Sequence, residues 1–349
     1  MAKIQKYLMD FHEVIKIKDT EENQELRDKR DIILNKLKQK ITSDAPTYST
    51  FNQGSYAMGT GIKPIDGEYD IDVGIRFDLS KDEYPDPLVV KKWVYDALED
   101  HTKNVEVKRP CVTVTYLEGG KPSFHVDLAV YAAKNDDGKL YLAKGKLNSS
   151  AENKEWEISN PLELIRLIRD KFADVDDRAQ FKRIIRYLKR WKDVNFSSNG
   201  HEAPVGIGLT TAAYYYLSIS KTIDAYSGKA TYDDLKSIRD LVQLMLNNFV
   251  QIYNVADGKC YDRLQVKLPV QPNTDLFEKM TDIQMNNFKS KLQELKETLK
   301  SAEEEVDPHE ACKIMKKKFG DDFPVPPKDD TGKKNEKPAI SRSSGSAKD

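Results

Sequence analysis

Three aspartates carry the chemistry that this sequence can offer. Asp70-Ile71-Asp72 opens the run YDIDVGIRFDL, residues 69–79, where the two-residue period of a strand puts both carboxylates on one face and Ile71 and Val73 on the other. Two acids at that spacing repel each other unless a cation lies between them, so the pair points to a divalent metal. Asp127 stands in FHVDLAVY, residues 124–131, facing the same way as Ser123, His125 and Ala129. An acid inside an apolar strand is costly unless paired or metal-bound; the alternative is a solvated acid on an edge strand. Upstream, Gly54-Ser55 follows a predicted strand from Pro46 to Asn52 and opens a predicted short helix. Backbone N–H groups and a hydroxyl there can hold a phosphate, although such a pair alone also suits a plain turn. Together the glycine-serine turn and three acids make a two-metal site for in-line attack on a nucleotide α-phosphate: one cation lowers the pKa of the attacking hydroxyl and the other neutralises the departing pyrophosphate.

These residues need a sheet to hold them. Ile4, Leu8, Phe11 and Ile15, then Leu26, Ile33, Leu37 and Ile41, recur at helical spacing, which predicts helices over residues 1–42. Alternation in 69–79, 105–117 and 124–131 predicts strands, and DPLVVKKWVYDALED, residues 86–100, interrupts them as an amphipathic helix. The front half therefore reads as α+β, a mostly antiparallel sheet with helices on one side. From Asn160 the pattern is helical almost throughout, including GLTTAAYYYLSISKTID and YDDLKSIRDLVQLMLNNFVQIY. The stretch from Pro324 onward is rich in proline, lysine and serine and too poor in apolar residues to build a core. The expected division is a core with N-terminal helices over 1–158, a helical lobe over 159–323 and a disordered tail over 324–349.

Composition removes several classes. Across 349 residues, 56 lysines and arginines meet 57 aspartates and glutamates, so no global field would hold the chain on nucleic acid or an anionic membrane. No apolar run approaches the ~20 residues that span a bilayer, and the charged N-terminus has no signal-like apolar core, which points to the cytoplasm. The three cysteines and five histidines show no metal-ligand spacing.

The residues Gln53-Gly54-Ser55-Tyr56, Gly59-Thr60, Glu68-Tyr69-Asp70-Ile71-Asp72-Val73-Gly74 and His125-Val126-Asp127-Leu128 resemble the polymerase-β-like nucleotidyltransferases. More narrowly, they resemble the cGAS/DncV-like nucleotidyltransferases (CD-NTases) and their relatives the oligoadenylate synthetases. The resemblance implies a polymerase-β-like sheet with a C-terminal helical lobe and an active site in the cleft between them. It implies catalysis by Asp70, Asp72 and Asp127 holding two Mg²⁺ ions, with Mn²⁺ as a substitute, and nucleotide binding by Gln53, Gly54, Ser55, Tyr56, Lys182 and Lys189. Lys182 and Lys189 lie in FKRIIRYLKRWKD, residues 181–193, which looks like the family's spine helix and carries six basic residues against one acid. Lys182 matches the lysine that contacts the donor triphosphate. A solvated basic face is the alternative for Arg183, Arg190 and Lys192. At the family's phosphate-binding serine and base-stacking aromatic, this chain has Gly206 and Ile207; backbone N–H groups from Gly206 to Gly208 could substitute. Tyr56 and Met58 either line a base pocket or pack.

The activity so implied is synthesis of cyclic di- or trinucleotides from NTPs, ATP included, in bacterial anti-phage signalling through a separate effector. The chain lacks a His/Cys cluster between sheet and spine helix, so direct activation by duplex DNA is not expected. Two other functions remain open: nucleotide addition to RNA or a protein side chain, which would need an extended basic track, and a degenerate nucleotide-binding interaction protein. Within the tail, Pro338-Ala339-Ile340 could be captured by a regulatory partner through strand addition; an unused linker end is the alternative.

Overall fold

The computed structural model describes residues 4–17, 21–197, 202–255 and 257–328. The strand-addition candidate at 338–340 and the expected tail beyond residue 328 lie outside them. In the first lobe the elements run α2 (Glu21–Lys40), β1 (Tyr48–Gln53), α3 (Gly54–Met58), β2 (Tyr69–Phe77), α4 (Pro87–Leu98), β3 (Asn104–Val107), β4 (Val112–Glu118), β5 (Lys121–Ala132), β6 (Leu140–Lys144) and β7 (Glu155–Ser159), preceded by α1 (Gln5–Ile15). The sheet is ordered β1-β2-β5-β4-β3, with β6 on the end of β5 and β7 beyond it. Its pairings are antiparallel apart from the central β2–β5 pair. Alternation sends Ile71, Val73 and Ile75 of β2 and Val126, Leu128 and Val130 of β5 into a core covered by Ile33 and Leu37 of α2 and Val90, Val94 and Leu98 of α4. The opposite face keeps the polar residues.

The helical lobe comprises α5 (Pro161–Arg169), α6 (Val175–Asn195), α7 (Gly206–Tyr216), α8 (Asp234–Asn247), α9 (Asp282–Glu304) and α10 (Pro308–Phe319). Its axis is α6. Asp174 caps that helix by accepting from the N–H groups of Asp176 and Asp177, both at 2.9 Å, and Ile184, Ile185, Leu188 and Trp191 form its buried stripe. Among the described residues, no helix is long and apolar enough to cross a membrane.

Three expectations are corrected. First, α1 packs into the helical lobe rather than onto the sheet: Leu8, Phe11 and Ile15 join that core, and Tyr187 of α6 donates to the Leu8 carbonyl at 2.7 Å. Second, two segments predicted as helix end in hairpins, β8 (Lys221–Ile223) with β9 (Ala230–Tyr232), and β10 (Phe249–Asn254) with β11 (Lys259–Leu264). Asp257-Gly258 with Gly258 at φ +69°, flanked by β-formers, is a hairpin turn signal that outweighs the short apolar spacing. Third, packing continues past Pro324: beyond Phe323, which is buried against Phe11 and Phe319, Val325 lies on the same core and the Pro326 carbonyl meets His309 Nδ1 at 2.6 Å. Apolar groups spaced this closely after α10 can still use that core, although the composition beyond them cannot build one.

Candidate active site

The sheet turns residues far apart in sequence into one row. Gln53 on β1 lies opposite Asp72 on β2, Asp72 opposite Asp127 on β5, and Asp127 opposite Thr113 on β4. One step along, Asp70, His125 and Thr115 form the next row. Because laterally paired residues share a face, Asp70, Asp72 and Asp127 converge on the side away from the α2/α4 core. Thr113 Oγ1 donates to Asp127 Oδ1 at 2.5 Å, Thr115 Oγ1 lies 3.1 Å from His125 Nδ1, and Tyr131 donates to Gln53 Oε1 at 2.9 Å.

Below the row, Gly54 turns the chain from β1 into α3 with φ +66°. A Cβ at Gly54 would lie 1.8 Å from Asp72 Oδ2, so glycine is required both by the left-handed backbone and by the approach of the carboxylate. Burial and mutual repulsion raise the proton affinity of Asp70 and Asp72. Desolvation, then the charges of Asp70 and Asp127, push Asp72 up to about 7. Asp70 sits at the open end of β2, where the concave surface still restricts hydration; desolvation and then Asp127 raise it above the usual carboxylate range.

Among the described residues, no group of three or more Asp, Glu, His or Cys side chains is gathered closely enough to hold a metal ion as it stands. The donor set nevertheless fits a divalent hard cation. Its groups are carboxylate oxygens, their mutual repulsion is what a cation would relieve, and Asp70 and Asp72 have no hydrogen-bond donor on their carboxylates among the described residues.

The row overlooks a cavity of about 550 Å³ between the lobes, lined by Gln53, Gly54, Ser55, Met58, Asp70 and Asp72 on one side and by Lys189, Lys192, Asp193, Gly206, Ile207 and Thr210 on the other. A second chamber of about 600 Å³ adjoins it, sharing Pro64, Lys192 and Asp193 and walled by Phe196 and Ile65. Both are of ligand size. The 2.7 Å Lys192–Asp193 ion pair stands at their junction.

The basic face of α6 has divided duties. Arg183 makes a buried two-point ion pair with Asp234 at 2.6 and 2.9 Å. Arg186 donates to the carbonyls of Gly59 and Gly61 at 2.7 and 3.1 Å, and Arg190 to that of Lys63 at 2.7 Å. Neither Arg183 nor Arg190 is a solvated surface charge, because each ties a neighbouring segment to the spine. Lys189 is buried but reaches the cavity wall, and donates to the Thr60 carbonyl at 3.1 Å. Burial, followed by Lys192 and Arg186, lowers its amine to about 7.

The fold thus gathers Gln53, Gly54, Ser55, Asp70, Asp72 and Lys189 around the cavity, with Asp127 beside Asp72. Lys182 is not among the lining residues. It lies along Gly59, just after α3, where burial lowers its amine. Lys192, for which a solvated basic face was the alternative, lines both chambers. Tyr56 also stays outside, its hydroxyl accepting from Arg27 Nε at 2.8 Å. Thr113 and Asp193, the single acid of residues 181–193, are not among the site residues that the sequence marks. The alternation VTVTYL put Thr113 and Thr115 on a polar face, but only the β4–β5 pairing shows what that face meets.

Residues 49–131 match the family model described as cyclic GMP-AMP synthase DncV-like, nucleotidyltransferase domain. A cyclic GMP-AMP synthase of Escherichia albertii is 29% identical over 223 residues, which cover 60% of this chain and 46% of that protein; the match thus spans about half the length of the relative. The fold is that of the Vibrio cholerae DncV cyclic AMP-GMP synthase, with a TM-score of 0.68, 18% identity and coverage of 93% of this chain and 98% of that one. The Bradyrhizobium diazoefficiens CD-NTase CdnG, solved in complex with GTP, is similar at a TM-score of 0.63, with 13% identity and coverage of 90% and 95%.

Proposed function

We propose that this chain, a member of the DncV-like nucleotidyltransferases through residues 49–131, joins NTPs through phosphodiester bonds and closes them into a cyclic di- or trinucleotide. ATP is among the substrates, and the product serves as a second messenger for a separate effector in anti-phage defence. One observation carries the chemistry: Asp72 and Asp127 stand side by side in a row that opens, through Gly54-Ser55, onto a cavity of nucleotide size.

Asp70 and Asp72 would hold both Mg²⁺ ions, with Asp127 completing the one on the acceptor side. Bound there, magnesium or manganese supplies charge for the transferred phosphate and acidity for the acceptor hydroxyl. The remaining work belongs to the chain. Asp127 faces the acceptor 2′- or 3′-hydroxyl and favours its deprotonated form. The Ser55 hydroxyl and the Lys189 and Lys192 amines meet the donor triphosphate across the cavity. Gln53, held by Tyr131, keeps the near wall in place. The adjoining chamber provides room for a second nucleotide, whose base the Phe196 wall would flank.

The test is incubation with mixed NTPs and Mg²⁺, with and without RNA, followed by mass spectrometry before and after nuclease P1. A cyclic product independent of RNA is expected. Extension of RNA, or labelling of a protein, would replace this function with transfer to a polymer.

A further inference from the structure

Asp127 is held between opposed influences. On one side Asp72 lies directly opposite it across β2–β5 and its charge repels. On the other, Thr113 lies directly opposite across β4–β5, is 1% exposed, and donates to Oδ1 at 2.5 Å. An ionised carboxylate only accepts and a hydroxyl has one proton to give, so that proton is committed to Asp127. Cys111 Sγ is 3.5 Å from the same Oγ1 and must then be the donor there. A directed chain results, Cys111 to Thr113 to Asp127.

The strand that bears Thr113 is also anchored. Lys91 of α4, wholly buried, donates to the carbonyls of Lys108, Arg109 and Gly145 at 2.6, 3.0 and 2.8 Å, fixing the turn into β4. Val112 and Val114 supply the apolar side of that strand. Sheet packing could therefore be met by valine at position 113. Among the described residues the hydroxyl has only Cys111 and Asp127 as partners, and a β-branched residue has a restricted χ1, which fixes where the hydroxyl points.

We propose that Thr113 is a positioning residue for phosphodiester synthesis: its hydroxyl steadies the Asp127 carboxylate against the charge of Asp72 and holds Oδ1, leaving the second oxygen to take the divalent cation. This rests on the role proposed above for Asp127.

Thr113→Val keeps the shape and removes the donor, Thr113→Ala removes donor and bulk, and Thr113→Ser keeps the donor. Each is measured for Mn²⁺ affinity by calorimetry without nucleotide, and for kcat and donor KM with NTP. Thr113→Val should weaken Mn²⁺ binding and lower kcat, each by ~10–100-fold, while donor KM stays within about twofold. Thr113→Ser should restore most of both. If the valine variant does not fold, the serine and alanine pair, which differ by one oxygen, decides the question in the same way. Wild-type Mn²⁺ affinity and kcat in Thr113→Val, or a serine variant as impaired as the alanine one, would overturn the assignment. Asp127→Asn separates the two levels. If it too binds Mn²⁺ and turns over normally, the role of Asp127 itself is wrong; if it is impaired while Thr113→Val is not, only the assignment of Thr113 is wrong.

Discussion

Replacing Asp72 by asparagine should stabilise the metal-free protein while disabling it. In the fold Asp72 is raised from an ordinary carboxylate value of 3.8 to about 7 by desolvation and by Asp70 and Asp127. A raised acid contributes stability that is fully present below the unfolded carboxylate's pKa and is lost as pH rises through the folded one. At pH 8 the metal-free fold therefore carries the whole penalty of the ionised group. At ~1.4 kcal/mol for each tenfold change in proton affinity, the ceiling is about 4 kcal/mol. Part of the carboxylate remains hydrated and the three acids share their repulsion, so about 2 kcal/mol is the working figure. Asp72→Asn removes the charge at nearly constant shape. In EDTA at pH 8 its Tm should exceed wild type by about 4 °C, and the gain should shrink steadily as pH is lowered from 8 to 5. Mn²⁺ should raise the Tm of wild type and much less that of the variant, and turnover should fall by at least ~100-fold. Differential scanning calorimetry in EDTA and in Mn²⁺ reads all of this except turnover. A variant that melts below wild type at pH 8 without cation, or keeps the full Mn²⁺ response, would refute the electrostatic argument.

Lys189→Met should raise the donor KM by about tenfold, the worth of one charge-assisted hydrogen bond, whereas Lys182→Ala should change it by less than about twofold; steady-state kinetics with ATP compares them. Gly54→Ala, whose methyl would fall 1.8 Å from Asp72 Oδ2, should lower kcat by ~100-fold through displacement of that carboxylate. Gly119→Ala, also at positive φ but in open space, should retain activity, and equal kcat in the two would refute the steric argument. Phe323→Ala, which empties a site against Phe11 and Phe319, should cost ~3–4 kcal/mol of stability by denaturant titration and leave turnover at 25 °C intact. No loss would mean that the chain after α10 does not belong to the core.

The sequence alone determined what depends on short-range order. Period-two alternation put Asp70 and Asp72 on one face of β2 and their aliphatic neighbours on the other, and the same rule oriented Asp127. Alternation and helical spacing marked an α+β front half and a largely helical back half, and Gly54-Ser55 marked the turn that the fold places under Asp72. Tertiary structure decided everything that depends on which surfaces meet. A helix of high positive charge looks the same in sequence whether its cations hold phosphates, face water or tie loops. Only the packing of α6 against residues 59–63 and Asp234 sent Arg183, Arg186 and Arg190 to internal partners and left Lys189 and Lys192 at the cavity. The helical period of α1 likewise gave no indication that its apolar stripe would join the helical lobe, since a stripe specifies burial and not a partner. Strand order is similarly silent in a linear chain. Thr113 reaches Asp127 through the short β4–β5 hairpin, but Asp72 joins that row only through the parallel β2–β5 pairing across a long separation, which is set by the competition of whole apolar faces for a single core.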